Sequence, residues 1–295
     1  MAVIAASALE VASCTVSQLG ESPRWDAARG SLWWVDITGG RLHERRFDGT
    51  TASVALDRPA GAVNPADDGR LLLATTAGLE VFDVVTRQAV VRVPIERDLP
   101  DRRMNDAAVD ARGRVFAGTM RWDAGDPPHD GVLYRIDPDG STEPVLSGLG
   151  CPNGIAWPAP HTMAFIDSMS RSIALWAVDP GTGVLGEKVG VIDVSGFEGV
   201  PDGMTLDAEG GLWVAFWNGG AVRRLALDGT VLTTVEVPTP LVTAVAFGGR
   251  DLDVLFITTA VGPDESRDAA AGLLYRCVPG ERGVLPSLWP AASVA

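Results

Sequence analysis

Four oxygen-bearing side chains recur at matching points of the chain. They are Glu21 in Leu19-Gly20-Glu21-Ser22-Pro23, Asn105 in Met104-Asn105-Asp106, Asn153 in Pro152-Asn153-Gly154 and Asp202 in Pro201-Asp202-Gly203. Asn105, Asn153 and Asp202 are 48 and 49 positions apart, each at the mouth of an apolar, strand-like run. Two carboxylates offset most of a divalent charge, and amide oxygens complete the shell. An all-oxygen set suits calcium, magnesium or manganese better than zinc, although zinc is not excluded. Asn-Gly and Asp-Gly are also common turn dipeptides, because both tolerate positive φ. One such pair alone would read as a turn; agreement at several points of the chain favours a site.

Further residues stand close to these. Arg103 precedes Asn105 by two positions, which puts both on one side of an extended segment. An arginine there suits substrate hydroxyls or a developing carboxylate. Cys151, two positions before Asn153, reads better as a small packed thiol than as a reactive one. His129, in the polar run Asp126-Pro127-Pro128-His129-Asp130, is a weak candidate for substrate contact.

Other chemistries fit poorly. The three histidines, His43, His129 and His161, show no zinc-ligand spacing. Gly-x-Ser-x-Gly is absent, which argues against a serine hydrolase elbow. The formal net charge of −14 disfavours nucleic acid as a partner. Cys14, Cys151 and Cys277 form no metal-ligand pairs, and so sparse a set fits a reducing, cytoplasmic compartment. No run approaches the ~20 apolar residues that span a membrane. The start, Met1 to Ala6, lacks a basic region and Glu10 interrupts it, so it reads as a strand rather than an export signal.

Repeated elements must position the acceptors. Asp202-Gly203-Met204-Thr205-Leu206-Asp207 followed by Gly211-Leu212-Trp213-Val214-Ala215 has counterparts at Asn105–Thr119 and Ser22–Asp36. Weaker copies start near Ala62, Asn153 and Val242. About six units of roughly 40–50 residues match the period of propeller blades. The alternation in Gly131–Asp137 fits a strand, and no segment carries a sustained helical period. The expected fold is all-β: a six-bladed propeller with four-stranded antiparallel blades, one domain over 1–295 with its core at about 10–280. The last unit, Ala244 to about Cys277, lacks an outer strand, and the run Glu10–Val16 is expected to supply it. A β-sandwich or two small barrels is the second choice, disfavoured by the constant period. In a propeller the repeated acceptors surround one axis. Trp25, Trp33 and Trp213 then belong to blade cores, whereas Trp122 and Trp217 follow inner-strand segments and can wall a pocket.

These residues resemble the SMP-30/gluconolactonase/regucalcin family. The matching pieces are Gly20–Trp25, Arg103–Asp106, Phe116–Met120, Asn153–Trp157, Ile166–Ser168, Pro201–Met204 and Leu212–Ala215 with Trp217–Gly220, in the right order over about residues 15 to 278. The resemblance implies one divalent ion held by Glu21, Asn153 and Asp202, with calcium first and magnesium, manganese, zinc and iron(II) behind it. It implies that Asn105 contacts substrate or water, that Arg103 contacts substrate, and that the reaction is hydrolysis of sugar lactones. Trp122 is added as a substrate-binding residue. The segment Arg121-Trp122-Asp123 departs from the acidic residues of animal members, and this loop is expected to shape substrate choice. Asp202 is the expected general base, or the ligand that orients the attacking water. A monomer or weak homo-oligomer is expected. The alternative is a calcium-binding regulatory protein without turnover.

Overall fold

The structure is a computed structural model that describes residues 1–123, 129–262 and 268–291. Six antiparallel sheets follow one another along the chain as the blades of a propeller. The innermost strands are Gly20–Asp26, Ala60–Pro65, Arg102–Val109, Pro152–Ala159, Val200–Leu206 and Val242–Gly248. No α-helix occurs among the described residues; the short 3-10 turns Ala6–Ala8 and Ser168–Ser170 are the helical elements there, and Ala291 also has 3-10 geometry.

Burial follows from a strand's place in its blade. Second strands such as Ser31–Asp36, Leu71–Thr75 and Leu212–Trp217 have neighbouring blades against both faces, so they are almost wholly buried runs. Exposure rises outward through the third and fourth strands of a blade. Gly131–Ile136 alternates over much of its length, and Leu185–Asp193 is largely exposed. Aspartates hold the turns between strands. Asp207 accepts from the backbone N–H of Gly211 at 2.8 Å, from Trp213 Nε1 at 2.9 Å and from Arg224 Nε at 2.6 Å. Trp25, Trp33 and Trp213 are buried as expected. His43 is also core: it stacks on Trp34 at 4.9 Å, and burial pushes its pKa down to about 4.

The N-terminal segment closes the ring. Glu10–Ser13 pairs antiparallel with Leu274–Cys277 and becomes the outer strand of the last blade, a shorter stretch than the expected Glu10–Val16. The sequence did not signal a second contact. Ala2–Ile4 pairs in parallel with Val231–Glu236, giving blade five a fifth strand. One short segment therefore ties the last two blades together and covers their edges.

The C-terminal segment crosses the face where the inner strands end. It is pinned by Ala208 N–H to Arg282 C=O (2.8 Å) and Gly283 N–H to Leu252 C=O (2.8 Å) on one side. On the other, Trp289 N–H donates to Pro65 C=O (3.0 Å) and the Trp289 ring is buried.

Candidate functional site

The expected acceptors do not stand before the inner strands, as the sequence suggested, but inside them. Every inner strand loses register with its partner at the same level: Glu21/Arg24, Ala60/Ala62, Met104/Ala107, Pro152/Ile155, Pro201/Met204 and Val242/Ala244. Such bulges bend a strand and re-aim its side chains. Asn105, Asn153 and Asp202 are each the first unpaired residue of their bulge. Ser22 is the strict equivalent in blade one, with a positive φ of 50°, and Glu21 precedes it. Glu21 has the longer side chain, and its charge acts on Asp202.

The glycines after Asn153 and Asp202 are not there for turns. Neither Gly154 nor Gly203 has a positive φ. A Cβ on Gly154 would lie 2.9 Å from the Asp202 carbonyl oxygen, and one on Gly203 3.0 Å from the Thr243 carbonyl oxygen. These glycines let adjacent inner strands approach closely, which narrows the ring around the acceptors. The turn reading of these dipeptides is thereby overturned.

Hydrogen bonds link the acceptors across blades. Asn105 Nδ2 donates to Asn153 Oδ1 at 3.0 Å and to the Pro152 carbonyl at 2.9 Å. Asn153 Nδ2 donates to Ser168 Oγ at 2.9 Å, and Ser168 Oγ donates to the Pro201 carbonyl at 2.7 Å. These bonds fix the amide orientation and leave the other lone pair of Asn153 Oδ1 for a ligand. Asn105 has both amide hydrogens engaged, so only a lone pair of its oxygen is left for substrate. Arg103 Nη1 donates to that same Asn105 Oδ1 and to the Met104 carbonyl at 3.2 Å. Arg103 Nε is buried without a partner among the described residues. The guanidinium lies 5.3 Å from the ring of Trp122, which is 40% exposed at the rim. Trp217, at the end of Leu212–Trp217, is half-buried.

Two carboxyls at this level resist ionisation. Burial, and next the charge of Asp106, push the Glu21 carboxyl up to about 8. Burial also drives Asp202 well above its ordinary value, with Glu21 and Asp106 adding to it. Neither carboxylate forms a salt bridge among the described residues. Two buried carboxylates that oppose each other's ionisation, beside a fixed amide oxygen, fit a hard divalent cation in chemistry and charge. Among the described residues no group of three His, Cys, Asp or Glu side chains forms a metal cluster. The expected set of Glu21, Asp202 and Asn153 has two such side chains, with an amide as its third.

Ser168 and Asp106 stand in motifs without an expected role, whereas Cys151 is expected to be a packed thiol and His129 a weak substrate contact. Ser168 orients Asn153, and the motif Ile166-Asp167-Ser168 contained it. Asp106 is buried 3.5 Å from Arg24 Nη2, beneath the acceptors, and burial raises its carboxyl. Cys151 packs with its Sγ 3.7 Å from Met120 Sδ, and burial pushes the thiol up to about 12, so it is an inert wall residue. His129 is exposed. Of the loop expected to shape substrate choice, 124–128 lie outside the described residues.

Known proteins share this arrangement of blades. The family described as "SMP-30/Gluconolactonase/LRE-like region" matches residues 19–261. The pentonolactonase XacC of Haloferax volcanii is 38% identical over 278 residues, which cover 89% of this chain and 91% of that protein. Regucalcin of Danio rerio is 34% identical, over 92% of this chain and 94% of its own length. The crystal structure of a calcium-binding protein, regucalcin, from Agrobacterium tumefaciens superposes with a TM-score of 0.90 at 30% identity, covering 98% of this chain and 99% of that one. The chain therefore belongs to the SMP-30/gluconolactonase/LRE-like family.

Proposed function

We propose that this protein is a metal-dependent lactonase that opens the ester ring of a sugar lactone to the aldonic acid. One observation carries the reading: Glu21, Asn153 and Asp202 come from three blades to one mouth of the ring, beside an arginine with an unpaired buried Nε. The pentonolactonase relative supports the substrate class.

Glu21, Asn153 and Asp202 would hold the cation, calcium first among the candidates. When bound, such an ion supplies Lewis acidity toward the lactone carbonyl. The chain's own groups do the rest. Asp202 accepts the proton of the attacking water, or orients that water. Burial raises its pKa in the ion-free site, and a cation beside it would lower that pKa again, which favours the water-orienting role. Arg103 Nε donates to a ring hydroxyl or to the ester oxygen as charge develops there. Asn105 offers its remaining oxygen lone pair and, through its bond to Asn153 Oδ1, fixes the orientation of that amide. Trp122 holds Arg103 from the solvent side and offers a flat apolar face to the sugar.

A second reading has support from the regucalcin relatives: a calcium-binding protein without turnover. Proton release from a panel of sugar lactones, with chelator and after metal is restored, separates the two. Activity lost and regained supports the lactonase; stoichiometric metal binding without hydrolysis supports the second reading.

A further inference from the structure

A cavity of about 450 Å³ lies on the far side of the ring from the candidate site, within the range of about 300–1,000 Å³ typical of small-molecule pockets. Its walls are the ends of the inner strands, through Trp25, Ile155, Met204 and Phe247, and its outer side is the C-terminal crossing, through Val284 and Leu285. Val284 and Leu285 are 46% and 56% exposed, so apolar surface on this crossing is not covered by the protein. The cavity is not a second entrance to the candidate site. Arg24 stands at its inner end, with Nη2 3.5 Å from Asp106 and Nε 3.4 Å from Asn64 Oδ1.

The polar groups around the cavity differ in what they have left to give. Arg24 also donates to the carbonyls of Pro23 at 3.0 Å and Ala107 at 3.2 Å. Asn64 Nδ2 donates to Ala107 C=O at 3.2 Å. Asp110 and Arg114 neutralise each other at 2.6 Å. The polyhydroxylated ring of a sugar would find few free partners here. Arg112 is different: it lines the cavity, is exposed, and forms no ion pair among the described residues. In a chain of net charge −14, an unpaired cation at the edge of an apolar cavity is a specific complement to one negative charge.

We propose that this cavity is a second binding site, separate from the candidate active site, for a small amphiphile with an apolar body and one carboxylate. The body fills the space between Trp25, Ile155, Met204 and the C-terminal crossing, and the carboxylate lies against Arg112. A medium-chain monocarboxylate has this chemistry.

Titration calorimetry of the full, metal-loaded protein with decanoate, kept below its micelle concentration, tests the site. A single saturable site is expected. Thr205→Phe, which fills the cavity, and Val284→Trp, on the exposed crossing, are each expected to weaken binding tenfold or more. Circular dichroism of both variants confirms that they fold. Arg112→Glu is expected to weaken decanoate severalfold and to leave decanol unchanged. A diazirine-bearing decanoate is expected to label 155–160 or 284–287. None of these residues belongs to the candidate active site, so lactone hydrolysis in the variants stays at the level of the parent protein. Absence of saturable binding would overturn the proposal. So would unchanged affinity in both folded filling variants, or labelling confined to other surfaces. The binding and labelling readouts need no turnover, so they stand or fall separately from the lactonase reading.

Discussion

At the scale of single residues, the site is built from groups that are unfavourable alone and compatible together. Glu21 and Asp202 are buried with like charge, and the pKa of each is raised. A divalent cation held between them would reverse the sign of that interaction. Asp202→Asn removes both a ligand charge and the candidate base. It should lower kcat/KM by about 10³-fold or more, and metal content should fall with it. Steady-state kinetics together with elemental analysis checks both. Glu21→Gln separates the roles, because it removes ligand charge and leaves Asp202 in place. Its loss of activity should be recovered in part at high metal concentration, whereas that of Asp202→Asn should not. Trp122 contributes through Arg103. Trp122→Ala should raise KM roughly three- to tenfold, with a smaller change in kcat and a melting temperature close to the parent's. An unchanged KM would remove Trp122 from the substrate contacts.

At the scale of elements, the bulge in each inner strand is the device that turns a repeat into a site. Gly203→Ala would press a methyl group into Ala244 and the Thr243 carbonyl. It should destabilise the fold by ~1–3 kcal/mol and displace Asp202, so activity should fall even in the folded fraction. Thermal melting and kinetics on the same sample test this. The N-terminal segment is the other structural device. Deleting residues 1–13 removes the outer strand of the last blade and the added strand of blade five. A loss of at least ~2 kcal/mol, several degrees in melting temperature, is expected. The sequence shows part of this. The six repeats and the closing strand were legible because alternation and turn residues are local signals. The bulge was not, because register belongs to a pair of strands and leaves no mark on either alone. For the same reason Asn153-Gly154 looked like a turn while it serves close packing between blades. Ser168 and the Arg24–Asp106 pair were invisible as partners, since their contacts join residues 15 and 82 positions apart in the chain. The parallel pairing of Ala2–Ile4 has no sequence signature of its own.

At the scale of the whole molecule, the ring makes ionisation, metal binding and stability one linked system. Without metal, burial and the charge of Asp106 push Glu21 up to about 8 from an ordinary value of 4.5. Between those values the folded protein holds more protons than the unfolded chain. Stability of the metal-free protein should therefore be greatest below about pH 4.5, as far as this group is concerned, and fall as pH rises toward about 8. Asp202, raised in the same direction, adds to the fall. Metal binding displaces these protons, so affinity should rise over the same window and the loaded protein should lose less stability. Melting curves at about pH 5.5 and about pH 8.5, with and without chelator, test the linkage. The central claim joins the cation to turnover, and one measurement addresses it most directly. Purified protein with its metal content determined is assayed for proton release on five- and six-membered sugar lactones, then stripped with chelator and reloaded. The account predicts about one divalent ion per chain, hydrolysis lost on stripping and restored on reloading. Full hydrolysis by the stripped protein, or bound metal with no hydrolysis of any lactone, would contradict it.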